Sequence, residues 1–327
     1  MSIIERAADK IGPPPAASEQ REGADAKGER SLIEASIDRA EASFNAPSPS
    51  REKQEAGFPD KMRDDDGPPT ILSQRGSVNL AKLRQMGALT PEGGRNRIAE
   101  EYRLIKRPLL ANAFGQGETP ALPNGTIIMV TSSLPGEGKS YTAINLAISM
   151  ATEMESTVLL VDADVTKSAV LKYLGLQGDR GLIDVLVDPS IPLSDVLIKT
   201  DIAKLTVLPA GRAIPHATEL LASTAMQSFV NDIASRYPDR IVIFDTPPLL
   251  ATSEASVLAS YMGQIVFVVE AEHTPQEAVK EAVSYLSDCA YVGMVLNKAP
   301  SRMAAGDYYG YRYGGYGYGS YGEYGKQ

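Results

Sequence analysis

From Thr126 onward, apolar residues gather into short runs rich in β-branched side chains, at 126–131, 157–161, 205–208, 240–244, 264–269 and 292–296. Between most of them lie stretches in which apolar positions recur every three or four residues, notably 139–151, 217–236 and 275–288. The first pattern predicts strands and the second helices. Strands that are apolar on both faces and separated by crossover helices form a mainly parallel sheet covered on both sides. One α/β domain ending near Ala299 is therefore expected.

Upstream, Leu80, Leu83 and Met86 fall at helical spacing before Gly87 and Pro91, and Ile98, Tyr102, Ile105 and Leu109 follow at i, i+4, i+7 and i+11. They predict two helices packed on the core. Residues 12 to about 76 are rich in Pro, Gly, Ser, Ala and charge, with too few large apolar side chains to offset the entropy of ordering. Two stretches, opening at Ser2-x-x-Glu5 and Ser31-x-x-Glu34, have capping-box starts and one apolar stripe, which suits a transient helix or one that docks on a partner. The last twenty residues hold eight of the chain's fifteen tyrosines interleaved with glycine, and such a segment cannot build a core. The expected organisation is a mostly disordered region over 1–76, a helical extension over 77–115, the α/β domain over 116–300, and a flexible Gly/Tyr tail over 301–327.

Composition narrows the function classes. A net charge of −9 repels nucleic acid and anionic lipid, so no nucleic-acid partner is expected. The single cysteine, Cys289, allows no internal disulfide and suits a reducing cytoplasm. The longest apolar runs are far shorter than the roughly 18 residues a spanning helix needs, and the first residues do not resemble a signal peptide. The expectation is a cytoplasmic protein, reaching the inner face of the cytoplasmic membrane through a partner.

Strand, turn and helix start coincide in Ile127-Ile-Met-Val-Thr-Ser-Ser-Leu-Pro-Gly-Glu-Gly-Lys-Ser140, which has the spacing of a phosphate-binding loop with Ser133 at the usual first glycine. Gly136 and Gly138 let backbone N–H groups approach a polyphosphate, with Pro135, Glu137 and Tyr141 completing the loop. Lys139 would reach the terminal phosphates of ATP, and the Ser140 hydroxyl would ligate Mg2+. Ligands of a parallel α/β sheet gather at the carboxyl ends of its strands. Two such ends are acidic: Val158-Leu-Leu-Val-Asp162-Ala-Asp164 and Ile241-Val-Ile-Phe-Asp245-Thr-Pro-Pro248. Asp162 and Asp245 suit a magnesium shell, and Asp162 or Asp164 suits acceptance of a hydroxyl proton during phosphoryl transfer. Asn297, after the last strand, suits either an adenine contact or a turn.

With these residues in view, the chain from about Arg97 to Tyr324 resembles a bacterial tyrosine kinase. Thr131 to Ser140 is similar to that family's Walker A motif, Val158 to Asp164 to its Walker A′, and Val242 to Pro248 to its Walker B. Leu205-Thr-Val-Leu-Pro-Ala-Gly211 and Glu219-Leu-Leu221 also resemble family segments. The resemblance implies a P-loop NTPase-type fold, ATP and Mg2+ as cofactors, and autophosphorylation of Tyr308, Tyr309, Tyr311, Tyr313, Tyr316, Tyr318, Tyr321 and Tyr324. Glu100, Arg103 and Lys106 resemble the family's oligomerisation motif, with Lys at a position usually Arg, and imply a ring-like assembly. Thr166 stands where relatives often carry arginine. The run Glu101 to Leu110, without a membrane segment, looks most like the exosortase-associated tyrosine autokinases. That implies a role in exopolysaccharide biosynthesis, a membrane co-polymerase or chain-length protein as activator, and a tyrosine phosphatase as counterpart.

Two other readings fit a P-loop: a ParA-like ATPase switch and a nucleotide-binding scaffold. The switch proteins carry a signature lysine where this chain has Leu134. The intact Lys139, Ser140, Asp162, Asp164 and Asp245 argue against a scaffold.

Overall fold

The computed structural model describes residues 74–300, apart from Arg95, Met154, Glu155, Tyr237 and Pro238. The features expected within residues 1–73, and the tail from 301 onward, lie outside the described residues.

Strands β1 (Gln74–Gly76), β2 (Ile127–Ser132), β3 (Thr157–Asp162), β4 (Ile198–Thr200), β5 (Leu205–Leu208), β6 (Arg240–Asp245), β7 (Gln264–Glu270) and β8 (Val292–Asn297) form one sheet in the order β1-β4-β5-β3-β6-β2-β7-β8. Every pairing is parallel except β4 with β5. All six residues of β2 are buried, as befits a central strand covered on both faces.

The two faces are built by alternate residues of the same strands. On one, Ile128 and Val130 pack with helices α1 (Leu80–Gln85), α2 (Arg97–Phe114), α3 (Lys139–Ala151) and α4 (Val170–Leu174). On the other, Ile127 and Met129 pack with α5 (Leu182–Val187), α6 (Leu193–Val196), α7 (Ala217–Leu221), α8 (Thr224–Arg236), α9 (Ser253–Ala259) and α10 (Gln276–Ser284). Each fully buried Ile, Leu or Phe contributes about 1.5–3 kcal/mol. The mainly parallel sheet flanked by helices matches the expected fold class.

Three local departures from the sequence pattern have physical causes. Strands β1 and β4, each of three residues, are too short to show an alternation of period two, and β1 precedes the expected onset of order at residue 77. Asp201 pins the exit of β1 by accepting from Ser77 Oγ at 2.7 Å and Val78 N at 2.9 Å. Helix α2 runs through Pro108 to Phe114 because both Pro108 and Leu104, whose carbonyl loses its partner, face solvent. The stretch read as one helix over 217–236 breaks in two, with Ser223 Oγ accepting from Met226 N at the start of α8.

Candidate active site

The carboxyl ends of β2, β3 and β6 sit side by side at the centre of the sheet. The loop after β2 turns directly into α3. Gly136 and Gly138 have φ of 93° and 99°, a region only glycine enters cheaply. Gly138 is also the N-cap of α3 and offers no side chain, so the first N–H groups of this helix keep their capacity for an anion.

A belt from the ends of β7 and β8 holds this loop in shape. Glu137 is 2% exposed and accepts from Leu134 N at 2.7 Å and from the Thr274 hydroxyl. Asn297 Nδ2 donates to Glu137 O at 2.8 Å, and Lys298 Nζ donates to Gly136 O at 2.9 Å while pairing with Glu270 at 3.0 Å. The loop is therefore preformed by side chains more than a hundred residues away.

Beside the loop lies a cleft of about 380 Å³ lined by Pro135, Gly136, Gly138, Lys139, Ser140 and Tyr141, by Asp164, Thr166 and Lys167, and by Pro247 to Pro248 with Ala251 and Thr252. Asp162 and Asp245 are register partners on adjacent parallel strands, and both are fully buried. Asp162 Oδ2 caps the following turn, accepting from Ser168 Oγ at 2.9 Å and from the amides of Ala169 and Val170. Its Oδ1 has no hydrogen-bond partner, and neither oxygen of Asp245 has one. Asp164 Oδ1 accepts from Thr166 Oγ1 at 2.9 Å and Lys167 N at 3.1 Å.

Burial pushes the pKa of both Asp162 and Asp245 up. The Asp162 charge adds to the rise at Asp245, with Ser140 and Lys139 holding it back; at Asp162, Ser168 and the Val170 and Ala169 amides oppose the rise and Asp164 adds to it. Three orphaned carboxylate oxygens in a buried acidic pair call for a cation. Magnesium fits the donor set, since it takes one or two carboxylates and leaves positions for water and phosphate oxygens.

Tyr141 and Asn145 tie this site to the segment before α2. Tyr141 Oη donates to Gly87 O at 2.8 Å, and Asn145 Oδ1 accepts from Leu89 N at 2.6 Å. Asn297, expected at an adenine contact or in a turn, has its amide on the phosphate loop in this structure. Of the three residues expected in an oligomerisation motif, Glu100 and Arg103 form a half-exposed ion pair at 2.6 Å. Lys106 is instead 6% exposed, with Nζ on Ser149 O at 2.7 Å and Glu153 Oε1 at 2.5 Å, where its charge complements the C-terminal end of α3. It therefore does not share the surface of the other two.

Four contributors carry no local sequence signal: Thr274, Glu270, Lys298 and the Asp184 network. The Asp184 side chain, 1% exposed, receives Gly181 N, Arg212 N and Arg212 Nε, the last at 2.5 Å, and so fixes the loop that follows β5. Burial pushes this carboxyl up, but the Arg212 guanidinium and the two amides outweigh it and hold it below the usual carboxylate range. A depressed folded pKa contributes stability that is present above the unfolded value and lost as pH falls. Asp184→Asn is expected to cost about 2 kcal/mol near pH 7. Thermal melts of the two proteins should converge as the pH drops below about 4; a constant gap would exclude the charge as its source.

A family model described as an AAA domain matches residues 125–290. The tyrosine-protein kinase YwqD of Bacillus subtilis is 35% identical over 186 residues, covering 56% of this chain and 77% of that protein. The tyrosine-protein kinase CpsD of Streptococcus agalactiae is 31% identical over 189 residues, covering 57% and 81%. The chain belongs to the bacterial tyrosine-protein kinases.

Solved structures agree. The chimeric protein CapA2B2 superposes with a TM-score of 0.56 at 29% identity, covering 69% of this kinase and 94% of that chain. The VpsO kinase domain gives 0.53 at 28% identity, covering 67% and 98%. Against both the switch and the scaffold readings, the kinase reading of the sequence is the one these relatives favour. No helix among the described residues is long and apolar enough to cross a membrane.

Proposed function

We propose that this kinase transfers the γ-phosphoryl group of ATP to tyrosines of its own C-terminal segment, Tyr308, Tyr309, Tyr311, Tyr313, Tyr316, Tyr318, Tyr321 and Tyr324, and thereby regulates exopolysaccharide biosynthesis or export. The observation that carries the reading is the pair of unpartnered Asp245 oxygens at the carboxyl end of β6, in register with Asp162 and beside Lys139 and Ser140. In the proposed site the amides of 136–140 and the Lys139 ammonium hold the phosphates. Ser140 Oγ, Asp245 and the free oxygen of Asp162 supply oxygen ligands to Mg2+, which when bound neutralises charge on the phosphates. Asp164, which lines the cleft, accepts the phenol proton as the tyrosine oxygen attacks in line. Asn297 reaches the adenine edge by leaving Glu137 O.

Several partners belong to the same proposal. Glu100 and Arg103, on the exposed side of α2, suit contact with another copy in a ring-like assembly. A membrane co-polymerase or chain-length protein would recruit and activate the kinase at the inner face of the cytoplasmic membrane, and a tyrosine phosphatase would reset it. Membership of the exosortase-associated group, and the boundaries at 76, 115 and 300, are part of this reading.

Incubation with Mg2+ and ATP, followed by mass spectrometry of the tail, tests it. Label should appear on the tail tyrosines, and Lys139→Met should lower incorporation by about 10²–10³-fold or more. A Lys139→Met protein that labels itself at the native rate would overturn the assignment.

A further inference from the structure

The two edges of the sheet differ. At one end β1 offers only three residues. At the other, β8 pairs with β7 over six residues, from Ile265↔Val292 to Glu270↔Asn297, and its outer edge has no strand beside it among the described residues. Along β8, Val292, Met294 and Leu296 share one face. Helix α10 lies over that face near Val292, which packs into its core, but Met294 and Leu296 are 57% and 59% exposed. An open edge with unpaired backbone groups and bare aliphatic side chains is a template for another strand.

We propose that the occupant is the chain's own tail, laid antiparallel along β8 while its tyrosines are unmodified. The chain leaves β8 at Asn297, and residues 298–308 give ample length for a reversal that needs as few as two. The next residues read Tyr309-Gly-Tyr311-Arg-Tyr313, an alternation of period two that puts three aromatic rings on one face of an extended strand. A single register then sets Tyr309 opposite Leu296, Tyr311 opposite Met294 and Tyr313 opposite Val292. Aromatic–aliphatic and sulfur–aromatic cross-strand pairs are favourable, and the backbone of the tail satisfies the open edge. A second copy pairing β8 with β8 would bring Met294 and Leu296 together without any aromatic partner.

The same contact is switched by charge. A phosphotyrosine carries about −1.5 to −2 charges and cannot be laid on Met294 and Leu296 without losing its solvation. Modification therefore frees the edge. Running antiparallel also carries Tyr311 and Tyr313 away from the carboxyl end of the sheet, about 3.3 Å per residue, so docked tyrosines are held back from the cleft. Tyr316 to Tyr324 would then be modified before Tyr309 to Tyr313; this ordering rests on the tail being the acceptor, whereas the docking does not.

The test uses full-length protein carrying Cys289→Ser, phosphatase-treated, dilute and free of nucleotide. Met294→Cys with Tyr311→Cys places two thiols on one face at a separation a disulfide can span, while Met294→Cys with Arg312→Cys places them on opposite faces. Mild oxidation should close the first pair within one chain at least tenfold faster than the second. Equal rates for the two pairs, or disulfides formed between chains, would overturn the proposal, the latter in favour of a second copy on the edge. Because no ATP is present, a negative result leaves the labelling experiment untouched, and failure of labelling leaves this one intact.

Discussion

Asp245→Asn should remove nearly all phosphoryl transfer while leaving the nucleotide-free protein at least as stable as the native one. Catalytically, the substitution withdraws a charged ligand from the place where phosphate charge must be balanced, for which a loss of about 10²–10³-fold is expected. For stability the argument runs the other way. Both Asp245 oxygens are buried without a partner, and the neighbouring Asp162 is also an acid. A side chain of the same shape without the charge relieves desolvation and like-charge repulsion, by about 1–3 kcal/mol, worth a melting temperature higher by roughly 2–10 °C. Calorimetry in chelator, alongside tail labelling in Mg2+ and ATP, checks both halves. A variant that melts well below the native protein would make Asp245 a structural residue.

The second large effect is expected at Gly138. A Cβ there would stand 2.0 Å from Asn297 Nδ2, and φ of 99° is strained for any other residue. Gly138→Ala therefore forces Asn297 off Glu137 O and bends the loop, at a cost of about 1–2 kcal/mol from the backbone alone. ATP affinity should fall by about 100-fold or more, with circular dichroism unchanged. Adding Asn297→Ala removes the clash, but the backbone strain stays and the proposed adenine contact goes with the amide, so affinity should remain well below native. Native-like ATP binding by the single variant, measured by calorimetry, would show that the loop is not held as described.

Much of this site was legible because its chemistry is local in the chain. The phosphate loop needs glycines, Lys139 and Ser140 within a few residues of a strand end, and Asp162 and Asp245 each close an apolar run. The six longer strands announced themselves as short apolar runs rich in β-branched residues. What escaped was either too short or too distant to leave a pattern. Strands β1 and β4 hold three residues each. Thr274 meets Glu137, and Lys298 meets Gly136, across 137 and 162 residues of chain. Lys106 escaped for a different reason: helical spacing groups it with Glu100 and Arg103, but a long aliphatic stem lets the ammonium turn inward to carbonyls that only the folded chain supplies.

That inward turn has a mechanical consequence. Helix α3 is a rod with the phosphate loop at one end and the Lys106 ammonium riveted to the other. Any load another molecule placed on the outer side of α2 would therefore be shared by the rod that carries the phosphate grip, so such a molecule and a nucleotide would push on a single lever.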